Sequence, residues 1–176
     1  MIFRETELAG AFVVENEAID DERGWFARIY DESEFAERGL AARFVQGSAA
    51  FNTERDTLRG LHYQEEPHVE AKLVRCTRGS LYDVIVDLRP GSATFKQWVA
   101  VELTAADGPM LYVPEGLAHG YLTLEAETEA LYLISALYAP DAARGVRWDD
   151  PAFGIEWPRE PRVMSEKDKA WPDFSG

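Results

Sequence analysis

Short apolar runs separated by turn residues dominate the hydrophobic pattern of this chain. The clearest run, 81–88, alternates apolar side chains and carries Asp83 among them, as a strand would. A turn at 89–92 follows it. Further strand candidates occupy 11–15, 44–51, 73–76, 95–103, 110–113, 119–124 and 129–138. Turns recur about every 8–12 residues, which is typical of a β-sandwich or a β-barrel.

Helical signals are confined to two short segments. Segment 31–40 has Ser33 as its candidate cap, Phe35 on an apolar face and Gly39 at its end. The second short helix is predicted at 165–170. The C-terminal part of the chain is rich in Pro, Trp and Asp and has few periodic runs, so we expect it to wrap around the strands.

Length and charge narrow the classes of function. The chain has 176 residues, a formal net charge of -14 and a pI of about 4.6. No linker divides it, so residues 1–176 are predicted to form one domain. An acidic surface argues against nucleic-acid and anionic-membrane partners, because both require positive charge. An acidic surface is still compatible with a small phosphorylated ligand that binds in a local basic pocket.

Membrane and secretion signals are not found in the sequence. No apolar run approaches the ~20 residues that span a membrane, and the first residues, MIFRETELAG, carry early acidic side chains unlike a signal peptide. We therefore expect a soluble, cytoplasmic protein. The single cysteine, Cys76, excludes an intrachain disulfide, and its apolar neighbours predict that it is buried.

A cationic cluster beside a histidine is conspicuous in this acidic chain. The motif RGLHYQ contains Arg59 and His62, and Lys72 follows ten residues later. A histidine can act as a base near neutral pH. A lysine can stabilise the oxyanion that forms when a proton leaves a carbon next to a carbonyl. The pattern favours acid–base chemistry on a carbonyl compound.

The stretch 108–119, GPMLYVPEGLAH, has the spacing G-x5-P-x-G-x2-H. This spacing resembles the second motif of the cupins, which are jelly rolls of the double-stranded β-helix type, and predicts that His119 faces the barrel mouth. Metal-dependent cupins place two histidines one residue apart in their first motif. Here Gln64 stands two positions after His62, and His68 lies beyond Pro67, so we expect neither a metal nor a cofactor.

Read together, the motifs are similar to those of the deoxythymidine diphosphate (dTDP)-4-dehydrorhamnose 3,5-epimerase family over nearly the whole chain. This resemblance implies an all-β cupin jelly roll with short peripheral helices. It implies a nucleoside diphosphate 4-keto-6-deoxy sugar as substrate and a homodimer in which N-terminal strands, here Phe12–Val14, add to the partner's sheet. Beyond RGLHYQ, the matching motifs are DERG (21–24), KLVRC (72–76), YDVIVDLR (82–89), VPEGLAHG (113–120) and GIEWP (154–158).

The resemblance also implies catalytic roles. His62 matches the base that removes a proton next to the keto group, and Asp168 matches the carboxylate that orients it. Lys72 matches the lysine near the C4 oxygen, where enolate charge develops. Tyr132 matches the proton donor, since a phenol with a pKa near ~10 is protonated at neutral pH. Asp83 is a second carboxylate with an expected place nearby.

Substrate-binding roles follow from the same resemblance. Arginine suits phosphate geometry, and an aromatic ring can stack on a base of any identity. The implied binding residues are Arg23 and Arg59 for diphosphate and sugar, Lys167, Tyr138 for stacking, Gln46 and Asn52 around the nucleotide loop, and His119.

Some positions depart from the family pattern. The loop 47–52 reads GSAAFN where many members present Asn and Ser, while Arg28 and Ala143 stand where acids are common. The sequence therefore leaves open an epimerase that inverts one centre only, one that uses another nucleotide such as CDP, a non-catalytic sugar-nucleotide-binding cupin, and a metal-dependent cupin.

Overall fold

The computed structural model describes residues 1–106 and 108–175, and most of its regular structure is antiparallel β-sheet. The helices are α1 (Glu32–Glu37) and α2 (Glu166–Lys169). The strands are β1 (Ile2–Glu5), β2 (Phe12–Glu15), β3 (Ile19–Asp21), β4 (Gly24–Phe26), β5 (Gln46–Asn52), β6 (Leu58–Gln64), β7 (Lys72–Arg78), β8 (Ser80–Asp87), β9 (Trp98–Thr104), β10 (Met110–Val113), β11 (Leu117–Thr123), β12 (Thr128–Ile134) and β13 (Ala143–Gly145).

Two sheets pack face to face around the core. One has the strand order β1-β2-β10-β7-β12-β5, the other β13-β6-β11-β8-β9, and β3 and β4 form a separate hairpin. The core cluster between the sheets contains Val74 and Cys76 from the first sheet and Leu81, Ile85 and Tyr121 from the second. The predicted all-β jelly roll is confirmed, and so is the burial of Cys76, whose pKa burial raises to about 11.

The outer face of the second sheet is also covered. Val84, Val86 and Leu61 pack there against Phe153 and other residues of the C-terminal segment. This segment wraps the sheet as expected from its composition. Burial on both faces fits the successive apolar residues 84–86 of β8.

Several predicted boundaries were wrong. The 95–103 candidate begins only at Trp98, because the Gln97 amide donates to the Thr94 carbonyl in a turn. The 129–138 candidate ends at Ile134, after which the chain leaves the sheet toward the rim of a cavity. Sequence alone did not separate these flanking residues from the strands they adjoin.

The predicted cap of α1 was also wrong. Asp31, not Ser33, is the N-cap, and its carboxylate accepts hydrogen bonds from the amides of Ser33 at 3.1 Å and Glu34 at 3.4 Å. Both residue types cap helices well, so composition did not distinguish them. Gly39 follows the helix with φ of 69°, and Phe35 is fully buried, as predicted.

Two facing glycines set the approach of β6 to β11. A Cβ atom on Gly60 would lie 2.5 Å from the Cα of Gly120, and one on Gly120 would lie 2.7 Å from the carbonyl oxygen of Arg59. Only glycine permits this approach. The resulting register pairs His62 with His119. No helix among residues 1–106 and 108–175 is long and apolar enough to cross a membrane.

Candidate active site

Strands from both sheets line a cavity of about 710 Å³. β5 and β12 line it from the first sheet and β6 and β11 from the second, and the segment that carries α2 borders it. Nine of the predicted site residues lie in its wall: Gln46, Arg59, His62, Lys72, His119, Tyr132, Tyr138, Lys167 and Asp168. The sequence thus predicted most of the polar lining.

His62 and Asp168 form a hydrogen-bonded pair. Nε2 of His62 lies 2.6 Å from Oδ1 of Asp168, with the histidine side chain 42% exposed and the carboxylate 6% exposed. Burial alone would raise the pKa of Asp168, but the hydrogen bond and charge of His62 hold it below its usual value. The carboxylate is therefore ionised at neutral pH and orients the ring.

The C-terminal segment brings Asp168 to this place. The Leu58 amide donates to the Val163 carbonyl at 2.9 Å, so the segment docks along the start of β6. Buried Asp56 strengthens this docking with an ion pair to Arg159 at 2.9 Å. Ser165 then caps α2 by accepting the Asp168 amide hydrogen bond at 3.1 Å.

Lys72 lies beside the base. Its ammonium donates to the carbonyl oxygen of His62 at 3.1 Å and pairs with Glu70 at 3.0 Å. The side chain is buried apart from its access to the cavity. A fixed positive charge in a partly dry site stabilises negative charge on a bound oxygen more strongly than it would in water.

Tyr132 reaches the cavity from the opposite sheet. Its ring packs edge-on against His119, with 6.0 Å between the ring centroids. Burial raises the pKa of this phenol well above its ordinary value, so the hydroxyl is protonated at neutral pH. The wall opposite His62 therefore presents a proton donor.

His119 has a carboxylate partner of its own. Its Nε2 lies 2.5 Å from Oδ1 of Asp83 on the neighbouring strand β8, and both side chains are buried. Asp83 is thus close to the site, as expected, but it pairs with His119 while Asp168 pairs with His62. The two histidine–carboxylate pairs stand side by side in β6 and β11.

Asn52 and Arg23 are the predicted binding residues that the structure does not bring to the cavity wall. Asn52 is buried and accepts a hydrogen bond from Nε of Arg59 at 2.7 Å, so it supports the arginine from behind. Arg23 lies in the β3–β4 turn, is 83% exposed and pairs with Asp21. Within one chain Arg23 does not reach the cavity.

The mouth of the cavity is shaped by two glutamines. Gln46 accepts the Tyr138 amide at 2.7 Å, and Gln64 accepts the Ala139 amide at 2.6 Å while donating to the carbonyl of His68 at 2.9 Å. The Tyr138 ring stays exposed at the rim, where a flat base can stack on it. The side chain of Gln64 is occupied by these contacts.

Trp171 is a neighbour of the base that the sequence did not indicate. Its ring centroid lies 6.5 Å from that of His62, and Lys167 places its ammonium 5.3 Å from the tryptophan ring. Its nearness in sequence to Asp168 offers a signal, since Trp171 follows directly after the end of α2 and its C-cap Ala170. In the described parts of the chain, no three His, Cys, Asp or Glu side chains are grouped to hold a metal ion.

Taken together, the fold and this wall define a cupin-fold enzyme class, with a histidine–carboxylate pair on one sheet and a phenol on the other. Comparison with known proteins identifies the family. The sequence profile of dTDP-4-dehydrorhamnose 3,5-epimerase matches residues 5–176. A protein of that name from Sinorhizobium fredii is 42% identical over 175 residues, which are 99% of this chain and 90% of that protein.

Solved structures of similar fold belong to the same family. The dTDP-4-dehydrorhamnose 3,5-epimerase of Elizabethkingia anophelis has a TM-score of 0.96 at 36% identity, covering 99% of this chain and 96% of the other. That of Bacillus anthracis, with TDP and PPi bound, has a TM-score of 0.94 at 37% identity, covering 98% and 99%. This chain belongs to the dTDP-4-dehydrorhamnose 3,5-epimerase family, which confirms the resemblance inferred from its motifs.

Proposed function

We propose that this chain, as one domain over residues 1–176, converts dTDP-4-dehydro-6-deoxy-D-glucose to dTDP-4-dehydro-L-rhamnose by inverting C3 and C5. The observation that carries this proposal is the placement of His62 and Tyr132 on the two sheets that line one cavity. Inversion needs a proton to leave one face of a carbon and another to arrive at the opposite face. A base and an acid on separate walls meet that need.

His62 removes the proton. Its Nε2 hydrogen is donated to Asp168, so Nδ1 carries the lone pair that accepts a proton from the carbon next to the keto group. The ionised Asp168 then stabilises the imidazolium that forms. Lys72 supplies positive charge for the enolate oxygen at C4. Tyr132 returns a proton from the other side, giving the inverted centre.

The nucleotide binds at the mouth. Arg59 and Lys167 supply charge for the diphosphate in an otherwise acidic protein, and Tyr138 stacks on the base. Gln46 supports that stacking by holding the Tyr138 amide. The names of the relatives and the nucleotide in the Bacillus anthracis structure favour dTDP over other nucleotides.

A homodimer accounts for the position of Arg23. The β3–β4 hairpin exposes Ile19 at 71%, Trp25 at 59% and Phe26 at 69%, an apolar surface suited to a second copy of the chain. In this arrangement Arg23 enters the cavity of the partner. Within one chain the strand Phe12–Val14 lies in β2 and pairs with β1 and β10. The cytoplasmic location stays a prediction.

Two variants separate the acid from the base. We expect His62→Ala to abolish deuterium uptake from D₂O into the keto sugar, because the variant lacks the proposed base. We expect Tyr132→Phe to slow product formation by about 10²-fold or more while initial uptake continues at the carbon that His62 deprotonates. NMR of the sugar follows both quantities. Full epimerase activity in Tyr132→Phe would show that Tyr132 is not the acid.

A further inference from the structure

A buried carboxylate that the proposed mechanism does not use lies just before β6. Asp56 is 2% exposed and stands outside the cavity wall. Three arginine side chains surround its carboxylate, with N–O distances of 2.9 Å for Arg159, 3.3 Å for Arg55 and 3.7 Å for Arg162. Removing one partner of a buried ion pair is costly. The cluster therefore constrains where the segment that carries Arg159 and Arg162 can lie.

The backbone at Asp56 holds the same segment. Its carbonyl oxygen accepts the amides of Arg162 at 2.8 Å and Val163 at 3.3 Å, and its own amide donates to the Thr123 carbonyl on β11 at 3.0 Å. The residue has φ of 60°, in the left-handed region where Asp and Asn are enriched among residues other than glycine. Side chain and backbone together fasten residues 159–163 to the start of β6.

The fastened segment leads directly to the partner of the base. Asp168 lies only a few residues beyond Val163, and Ser165 between them caps α2 by accepting the Asp168 amide. The Asp168 carboxylate accepts the Gly60 amide and lies 2.6 Å from Nε2 of His62. A shift of the segment at Val163 would thus be passed along a short stretch of chain to the group that orients the imidazole ring.

We propose that Asp56 is a positioning residue for proton abstraction: through Arg159 and Arg162 it fixes the C-terminal segment so that Asp168 stays within hydrogen-bonding distance of His62. Asp56 is not part of the cavity wall, so it acts through these groups and not on the substrate. This inference rests on the base role proposed above for His62. It predicts that the loss of one charge outside the cavity slows the deprotonation step.

Asp56→Asn tests this inference because it removes the charge while keeping the shape and a residue type that tolerates the left-handed backbone. We expect initial deuterium uptake into the keto sugar to fall about tenfold, since a small misplacement of a catalytic group is costly. Arg159→Gln removes the same ion pair from its more exposed side. It should also slow uptake, and it provides the test if Asp56→Asn folds poorly.

A double variant separates positioning from a general effect on the fold. If Asp56 acts through Asp168, then Asp56→Asn should cause little further loss of uptake once Asp168→Asn is present, so the two effects are not additive. Uptake is followed by NMR at a temperature where a melting curve shows each variant to be folded. A merely structural role would leave the uptake rate of the folded protein unchanged.

The ¹⁵N chemical shifts of the histidine rings give a second measurement, because they report which ring nitrogen carries the hydrogen. Asp56→Asn should change the shifts of His62, whose Nε2 hydrogen is donated to Asp168. His119 is the internal reference, since it pairs with Asp83 and not with the C-terminal segment. Its shifts should stay at their wild-type values.

Asp87→Asn is the matched control. Asp87 is also a buried carboxylate paired with an arginine, Arg89 at 2.7 Å, but it lies at the end of β8 and outside the cavity wall. We expect lower thermal stability in this variant, together with wild-type uptake and wild-type His62 shifts.

The outcomes distinguish this inference from the proposed function. The inference is wrong if Asp56→Asn and Arg159→Gln keep the wild-type uptake rate and His62 shifts, or if Asp56→Asn slows uptake by the same factor with and without Asp168→Asn. If His62→Ala has lost uptake at the same time, the proposed function still stands. Uptake by His62→Ala at the wild-type rate would remove the base role itself, and with it the premise of the inference.

Discussion

At the scale of single residues, the His62–Asp168 contact leaves Nδ1 as the ring nitrogen that accepts a proton in the proposed mechanism. The carboxylate is buried and ionised, and it lies 2.6 Å from Nε2. A neutral amide at position 168 would keep a similar shape but would stabilise the imidazolium far less. We therefore expect the negative charge of this one residue to contribute to the rate.

We expect Asp168→Asn to lower kcat/KM by about 10²-fold. Glu166→Gln is the matched control, since Glu166 is an exposed carboxylate on the same helix and pairs with Lys169. Steady-state kinetics measure the difference. Equal activity in the two variants would contradict the role of Asp168.

The lowered pKa of Asp168 makes the free energy of unfolding depend on pH, and equilibrium unfolding experiments measure this dependence. A depressed carboxyl pKa contributes stability above its unfolded value of ~3.9, and that stability is lost as pH falls through the folded value. Asp168→Asn should therefore reduce the pH dependence of the unfolding free energy below about pH 4.

The sequence predicted which residues line the site better than it predicted which partners their side chains contact. Nine of the residues implied by the family resemblance line the cavity wall, because a match to a family fixes positions in the chain. The match did not show that Asn52 faces Arg59 or that Asp83 pairs with His119. Those partners depend on the register between strands that are distant in sequence, which local patterns do not encode.

At the scale of elements, β13 and the C-terminal segment hold the base from one side. Gly145 on β13 pairs with His62 in register, and the Trp171 ring covers it so closely that a Cβ atom there would lie 2.2 Å from the ring. The edge strand can therefore carry only glycine at this position. The position of Trp171, next to His62, depends on that space.

Gly145→Ala should displace Trp171 and disturb the His62–Asp168 pair. We expect a loss of about 1–3 kcal/mol in the free energy of unfolding, as overpacking costs, together with reduced kcat. Gly47→Ala is the control, because a Cβ atom on that strand glycine would meet Leu133 at an ordinary 3.9 Å. Chemical denaturation and kinetics give both quantities. Wild-type stability and kcat in Gly145→Ala would show that the ring is not constrained.

Elements themselves were predictable wherever an apolar run had turn residues on both sides. Segment 110–113 was predicted with its true bounds, and 81–88 was shifted by one residue. The order of strands in the two sheets was beyond local patterns, because β10 pairs with β2 and β7, which are far away in sequence. The jelly-roll fold was predicted from the family resemblance, whereas the alternation of side chains predicted only where strands occur.

At the scale of the whole molecule, positive charge is concentrated at the cavity of a protein with a net charge of -14. Arg59, Lys72, Lys167 and Arg144 line it, against the carboxylates of Glu70 and Asp168. Such a local excess attracts a diphosphate while the remaining surface repels larger polyanions. Composition alone predicted that the surface repels polyanions, and the fold explains why the cavity can attract a diphosphate.

The proposed dimer predicts complementation between two inactive or weakened variants. Arg23→Ala and His62→Ala are each expected to lower activity, yet in a mixed dimer one cavity has its own His62 and the partner's intact Arg23. Random mixing should thus restore about a quarter of wild-type activity. Arg4→Ala mixed with His62→Ala is the control, since Arg4 pairs with Glu15 away from the hairpin. Recovery no greater than the sum of the separate variants would contradict a shared site.

In the proposed mechanism, one base and one acid on opposite walls invert the carbons next to the keto group. Proton NMR of dTDP-4-dehydro-6-deoxy-D-glucose incubated with the wild-type protein in D₂O follows this chemistry at each carbon. We expect deuterium at both C3 and C5, with the product carrying inverted configuration at each. Deuterium at one carbon only would establish a single-centre epimerase, and no incorporation at either carbon would rule out the proposed epimerisation.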